Sequence, residues 1–286
     1  MIIVDYSQVV ISNLHATLGA HMETTDINED LLRHFVLNSL RSYRSKFSGK
    51  YGELVIACDD TDNWRKAIFP YYKASRKKDR KESPLDWNKI YAALNTIREE
   101  IQENFPYRVI KVHTAEADDV IGTLVMKLHN TGEKILIVSG DKDFKQLQRY
   151  LNVDQYNPVM SKMLKEKDPV AYLKEHIIRG DKGDGVPNYL SDDDCLVAPN
   201  KRQKAIRQAK LDVWLKQEPE EFCEDEKILK QYERNKKLVD LTQIPEHVQE
   251  RIMEEYHNES GKDRSKIRKF FMEKRLKRLA DDMTAF

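Results

Sequence analysis

Asp5, Asp59, Glu116 with Asp118, Asp141 with Asp143, and Asp181 with Asp184 form five short clusters of carboxylates along the chain. Three of them follow apolar runs: Ile2-Ile3-Val4 before Asp5, Leu54-Val55-Ile56-Ala57-Cys58 before Asp59, and Ile135-Leu136-Ile137-Val138 before Asp141. In parallel α/β sheets the carboxyl ends of the strands line one crevice. That much negative charge in one crevice is costly unless cations neutralise it. Oxygen ligands suit hard cations, Mg²⁺ first and Mn²⁺ as its substitute. Two such ions about 3.5–4 Å apart activate a water, stabilise a leaving oxygen and clamp a phosphodiester during in-line displacement, with no side-chain nucleophile.

Each cluster alone has a plainer explanation. Asp5 and Asp59 suit caps or turns after a strand. Glu116, Asp118 and Asp119 suit the first turn of a helix with Thr114 as its N-cap, where acids meet the dipole favourably. Asp141-Lys142-Asp143 suits the cap of a helix starting at Phe144. The ordered set is what points to a metal site. Other chemistries fit less well. No Cys–His or His–His pair has zinc spacing. Asp5-Tyr6-Ser7 lacks the second acid, two residues on, of aspartyl-phosphate enzymes. Asp181-Lys182-Gly183-Asp184-Gly185 lacks the ligands of a calcium loop.

Two basic stretches accompany the acids. Trp64-Arg65-Lys66, Tyr71-Tyr72-Lys73, Arg76-Lys77-Lys78 and Arg80-Lys81 follow directly after Asp59. A solvated charged helix is the plain reading. Cations alternating with rings also suit phosphates and unstacked bases, and Lys73 and Arg76 suit charge on a transferred phosphate. Later, Ile178-Arg179-Gly180-Asp181-Lys182-Gly183-Asp184-Gly185-Val186-Pro187 is a glycine-rich hairpin between helical patterns. With Lys201, Arg202 and Lys204 in the next helix, the backbone at Lys182, Gly183 and Gly185 suits a sequence-independent grip on duplex phosphates.

The elements that must position these groups alternate. Ile2–Val4, Leu54–Cys58, Arg108–Val112 and Ile135–Val138 read as buried strands, with Val153–Tyr156 as one more. Helical patterns cover Glu29–Phe47, Trp87–Glu103 and Ala117–His129. This predicts an α/β fold with a mostly parallel central sheet flanked by helices. Residues 60–85 show no clean periodicity and read as an excursion above the sheet edge, mobile without a partner. From Pro169 the patterns are helical: Val170–Arg179, Asn200–Lys216, Glu224–Leu241, Pro245–Tyr256 and a basic helix Ser265–Ala280. The expected division is an α/β unit over 1–168 and an all-helical, duplex-binding unit over 169–286.

With 49 Lys and Arg against 48 Asp and Glu, the net charge of +1 conceals segregated signs. No apolar run reaches the roughly 18–20 residues of a membrane helix. Three scattered cysteines read as free thiols in a reducing cytoplasm. A monomer is expected.

As an ordered set these motifs resemble the 5′-nucleases of the flap endonuclease class, and among them the ribonuclease H group of T-even bacteriophages. The resemblance runs over nearly the whole chain. It rests on Ile3-Val4-Asp5-Tyr6-Ser7-Gln8, Asp59 with Trp64-Arg65 and Tyr71-Tyr72-Lys73 to Arg76, Glu116-Ala117-Asp118-Asp119, Ser139-Gly140-Asp141-Lys142-Asp143-Phe144 and Gly180-Asp181-Lys182-Gly183-Asp184. It implies a PIN-like 5′-nuclease fold, a mobile helical arch and a helix–three-turn–helix region. It implies a first metal among Asp5, Asp59, Glu116, Asp118 and Asp141, and a second among Asp143, Asp181 and Asp184. Lys73 and Arg76, with Asp118 and Asp141, become catalytic residues; Arg65, Tyr72, Lys77, Lys182, Lys201, Arg202 and Lys204 become nucleic-acid contacts. The implied activity is Mg²⁺-dependent 5′→3′ exonuclease and flap endonuclease cleavage of RNA–DNA and DNA–DNA duplexes, with primer removal in lagging-strand replication. Implied partners are a single-strand DNA-binding protein and a sliding clamp, in the host cytoplasm if a phage encodes the chain. The family hairpin usually reads Asp-Asn-x-Pro-Gly; here Asp184-Gly185-Val186-Pro187-Asn188 departs from it, so a monovalent cation there does not carry over. The rival reading is a non-catalytic, structure-specific DNA-binding protein on the same scaffold.

Overall fold

A computed structural model describes residues 1–8, 10–11, 29–83 and 85–286; the side chains of 77–79 lie outside that description, Lys77 among them. Among the described residues, six strands form one sheet in the order β3-β2-β1-β4-β5-β6. They are β1 Ile2–Asp5, β2 Leu54–Ala57, β3 Arg108–Ile110, β4 Ile135–Val138, β5 Val153–Asn157 and β6 Lys162–Leu164. The first five run parallel, with Val4 opposite both Ile56 and Val138, and β6 returns antiparallel on β5. Strands β1, β2 and β4 are apolar almost throughout and buried throughout, as parallel strands covered on both faces must be. Edge strand β6 escaped the sequence reading because its residues are half-exposed or exposed and carry no alternation.

Side chains of period two divide the core. Ile2, Val4, Ile56 and Val138 face helices α1 (Glu29–Tyr51) and α4 (Trp87–Asn104), through Leu37, Leu40, Leu94 and Ile97. Ile3, Val55, Ile135 and Ile137 face α5 (Ala117–Leu128), through Val120, Ile121 and Leu124. Between β2 and α4 the basic excursion holds two short helices, α2 (Trp64–Ile68) and α3 (Ser75–Glu82). The sequence Ser-Arg-Lys-Lys-Asp-Arg-Lys-Glu of α3 has no apolar position, so no periodicity announced it.

The chain from Pro169 onward is helical: α6 Pro169–Arg179, α7 Gln208–Trp214, a single turn at 219–222, α8 Glu226–Val239, α9 Glu246–Asn258, α10 Ile267–Glu273 and α11 Lys277–Ala280. A third core joins it to the base of the excursion, with Phe69 and Tyr72 packed among Ile177, Ile178, Tyr189 and Tyr232. Two expected helices are shorter than their patterns. The helix expected over Asn200–Lys216 begins only at Gln208, so Lys201, Arg202 and Lys204 are not helical. Their stretch is tied to the hairpin instead: Lys204 donates its N–H to Ser191 Oγ, and its carbonyl accepts from Asn188 Nδ2. The helix expected over Ser265–Ala280 breaks at Arg275, whose φ is 55°. Its apolar residues Ile267, Phe270, Phe271 and Leu279 lie in the first core, beside Phe286. Most of the segment's apolar residues are thus taken up by the fold, while its basic residues and Met272 stay exposed.

Candidate active site

The chain places β2 and β3 on one side of β1, then crosses to build β4 and β5 on the other, so the topological switch lies between β1 and β4. Ligands of open α/β sheets bind in the crevice outside the strand ends at such a point. Asp5 ends β1, and Asp141 follows β4. Both line a cavity of about 700 Å³ with Asp59, Glu116, Asp118 and Asp184, so six of the eight predicted carboxylates share one space. Lys66, Lys73, Arg76 and Arg80 line it as well.

Local structure holds each acid. Asp5 accepts from the Gln8 N–H and from Ser139 Oγ, both at 3.1 Å. Asp59 accepts the Ala117 N–H, one of the orphan donors at the start of α5. Asp141 caps the 3-10 turn Lys142–Arg149, accepting from the Asp143 N–H at 2.9 Å; the sequence suggested an α-helix starting at Phe144. Glu116, not Thr114, is the N-cap of α5, in a capping box with Asp119. Thr114 instead has φ 69°.

Electrostatics splits the acids. Burial, reinforced by the charges of Asp59 and Asp141, pushes the Asp5 carboxyl up to about 8. Burial and then the Asp141 charge push Asp143 up to about 7, and burial raises Asp118 well above the usual carboxylate range. Glu116 moves the other way: burial opposes its charge, yet Lys73 and Arg65 hold it down at about 2. The base of the excursion supplies these cations. Lys73 Nζ is 2.6 Å from Glu116 Oε1, the Tyr72 hydroxyl oxygen lies 2.9 Å from both Glu116 Oε2 and Asp184 Oδ2, and Arg76 is 2.5 Å from Asp184 Oδ1.

The remaining two predicted acids, Asp143 and Asp181, gather beside this cavity around a residue the sequence reading missed, His176 of α6. Asp143 Oδ1 is buried with no hydrogen-bond partner among the described residues, and His176 Nε2 is buried 3.3 Å from Asp181 Oδ2 and 3.6 Å from Asp143 Oδ1. Buried carboxylates crowded so closely, and matched here by cations, fit a site for positive charge. The only clue to His176 was its position one turn before the acidic hairpin. A further group, Asp60 with Asp62 and His113, sits at the rim. Its central carboxylate is already satisfied by the Thr114 N–H, His113 and Lys111.

Several expected nucleic-acid contacts are elsewhere. Arg65 is 2% exposed: it pairs with Asp119 and Glu116 and donates to the Leu238 carbonyl, so it braces the interior and cannot face a ligand. Tyr72 is buried too, reaching the site only through its hydroxyl. Gly185 is buried with φ 74°, and a Cβ there would meet the Tyr71 carbonyl at 2.8 Å, so it serves the contact between hairpin and excursion. Lys182, Gly183, Lys201, Arg202 and Lys204 are exposed. The acidic block Asp192-Asp193-Asp194 is paired residue by residue with Lys227, Arg234 and Lys201.

A parallel sheet with acids at its switch point and a basic excursion over them is the architecture of a 5′-nuclease. The chain belongs to the 5′-3′ exonuclease family: residues 1–176 match its N-terminal resolvase-like domain, and residues 159–286 match the C-terminal domain of T4 RNase H. It is 30% identical to the ribonuclease H of Enterobacteria phage T4, over 99% of this chain and 95% of that one. A 5′-3′ exonuclease of Buchnera aphidicola is 32% identical over 51% of this chain and 49% of its own. Among solved structures, the T5 D15 protein co-crystallised with metal ions shares the fold, with a TM-score of 0.64 at 14% identity, covering 91% of this chain and 99% of that one. The T5 D15 flap endonuclease in complex with DNA and metal ions superposes with a TM-score of 0.66 at 13% identity, over 90% and 98%.

Proposed function

We propose that this 5′-nuclease hydrolyses phosphodiester bonds of RNA–DNA and DNA–DNA duplexes from a 5′ end, and cuts 5′ flaps, using two Mg²⁺ ions. Removal of RNA primers during lagging-strand synthesis is the corresponding role. The observation that carries this reading is the convergence of Asp5, Asp59, Glu116, Asp118, Asp141 and Asp184 on one cavity that Lys73 and Arg76 also line.

Asp5, Asp59, Glu116, Asp118 and Asp141 would hold one ion, and Asp143, Asp181 and Asp184 a second. Bound there, the ions lower the pKa of water and neutralise charge on the phosphate. The chain's own residues do the rest. Lys73 and Arg76 leave their carboxylate partners to take the scissile phosphate, as charge-assisted donors aimed where charge develops. Lys182, Gly183, Lys201, Arg202 and Lys204 hold the duplex backbone without reading bases. In this reading residues 1–168 carry most of the chemistry, and 169–286 hold the duplex and add Asp181 and Asp184 to the second ion.

An end-labelled 5′-flap duplex and an RNA–DNA duplex, each incubated with and without Mg²⁺, test the reading. Mg²⁺-dependent release of short 5′ products is the expected result. Tight branched-duplex binding with no cleavage at any Mg²⁺ concentration would instead establish the non-catalytic DNA-binding alternative. Binding of the intact protein to a single-strand DNA-binding protein or a sliding clamp is the separate test of a replication role.

A further inference from the structure

The cavity continues past the acids, and on the β3 side its lining turns basic. Lys66 of α2, Arg98 of α4 and Lys111, just after β3, face the same space as Asp59 and Asp118. We propose that Arg98, with Lys111 and Lys66, forms a subsite for the strand phosphate next to the scissile one on its 5′ side. The proposal rests on the 5′-nuclease reading above and adds to it the residues that hold the departing nucleotide.

The strand order gives the direction. Asp5 ends β1 and Asp59 follows β2, with β3 and Lys111 to one side of them and β4 and Asp141 to the other. The hairpin assigned to the duplex sits on the β4 side, where Lys142 reaches Asp181 at 2.9 Å and α6 packs on the turn at 142–149. Helix α4 packs over β3, on the opposite side. A strand leaving the duplex therefore crosses the acids toward Arg98. Each nucleotide carries a further negative charge, so the phosphate beyond the scissile one needs cations of its own. Lys73 and Arg76 already serve the scissile group. A cavity of about 700 Å³ has room for a nucleotide beside the acids.

Local structure aims Arg98 into this space. Tyr91, Asn95 and Arg98 stand at i, i+4 and i+7, so they share a face of α4, and all three line the cavity. The Tyr6 hydroxyl donates to the Leu94 carbonyl at 2.9 Å, which ties that helix to the end of β1. The Arg98 side chain is 12% exposed, and its nitrogens meet Asn95 Oδ1 and Glu99 Oε1, each at 2.8 Å. Both acceptors are exposed neighbours on the same helix, and they cannot take all of the guanidinium N–H donors. Solvent-facing partners of that kind contribute little to stability. A phosphate offers the guanidinium a bidentate partner that matches its fork. Lys111 Nζ is 3.2 Å from Asp60 Oδ1, but the Thr114 N–H and His113 also satisfy Asp60, so Lys111 can turn to a phosphate. Lys66 is exposed and free to follow.

The test uses the full chain and a 5′-flap duplex whose cut position is first mapped with ordinary strands. One methylphosphonate then replaces the phosphate immediately 5′ of the scissile one and removes its charge. The unmodified protein is expected to cut that substrate roughly tenfold more slowly in single turnovers, the loss of one charge-assisted contact. Arg98→Met should cut the two substrates at similar rates, and Arg98→Lys should restore part of the discrimination, which a merely structural role would not produce. Equal rates on both substrates by the unmodified protein overturn the proposal, with no variant needed. So does a penalty of unchanged size in Arg98→Met, or one that vanishes in Lys73→Ala but persists in Arg98→Met. Fluorescence anisotropy of the same strands with Mg²⁺ chelated gives a second readout: the unmodified protein should bind the charged strand more tightly, and Arg98→Met should bind both alike. Discrimination in binding without any cleavage would sink the proposed function and keep the subsite; cleavage without discrimination sinks the subsite alone.

Discussion

Lys73 Nζ lies 2.6 Å from Glu116 Oε1, a cation of the basic excursion seated on an acid of the sheet. The backbone reinforces the contact: Lys73 adopts φ 55°, and its N–H donates to the Asp184 carbonyl at 2.7 Å. A left-handed lysine costs roughly 1–2 kcal/mol, which the hydrogen bond and ion pair offset. The side chain is thus positioned at the acids before any phosphate arrives.

Removing that side chain should slow chemistry more than binding. Lys73→Ala is expected to lower the single-turnover cleavage rate by roughly 10²–10³-fold, with duplex affinity changed far less. Rapid-quench measurements on a flap substrate check this, and an unaltered single-turnover rate would remove Lys73 from the mechanism.

Asp118 and Asp141 line the cavity, and among the described residues no cationic side chain is bonded to either. Asp118→Asn or Asp141→Asn should reduce cleavage by about a hundredfold or more at saturating Mg²⁺, while binding of branched duplex persists. Fluorescence anisotropy and cleavage assays on the same preparations separate the two effects. Wild-type turnover by either variant across Mg²⁺ concentrations would refute the assignment.

Arg65 is a matter of stability. It is buried with Asp119 and Glu116, and its Nε holds the Leu238 carbonyl at 2.9 Å. Arg65→Met leaves Asp119 buried with its charge uncompensated, so unfolding by urea should show a loss of about 3–5 kcal/mol. A loss below about 1 kcal/mol, the range of an exposed pair, contradicts the burial argument.

Gly180 turns the chain from α6 into the acidic hairpin. A Cβ there would lie 2.4 Å from the Pro187 carbonyl oxygen and 2.5 Å from that of Val186, at a φ of 67°. Gly180→Ala should therefore displace Asp181 and Asp184 as well as destabilise the fold. Expected readouts are a lower unfolding midpoint and weaker Mn²⁺ uptake by calorimetry; normal values for both would show that the hairpin tolerates the shift.

Phe271 is 1% exposed and packs edge-on against Phe105 and Phe286. Phe271→Ala is expected to cost about 3–5 kcal/mol, and removing residues 265–286 should unfold the chain rather than merely detach a partner. Circular dichroism with thermal melting decides it.

Much of this was legible in the residues. Continuous apolar runs ending in acids marked β1, β2 and β4, because a parallel strand buried on both faces tolerates little else and its carboxyl end opens on the crevice. The acids themselves were readable because eight carboxylates at such positions are more than caps require. Strand order, however, is a property of long-range pairing, and only the folded chain put the switch point between Asp5 and Asp141. Burial is likewise a tertiary quantity: a positive charge in a basic run looks the same whether it faces solvent, as Arg76 does, or the interior, as Arg65 does. His176 shows the same limit. One histidine in a helix has no local signature, and its meaning arises only where a turn of chain brings Asp181 and Asp143 to the same nitrogen.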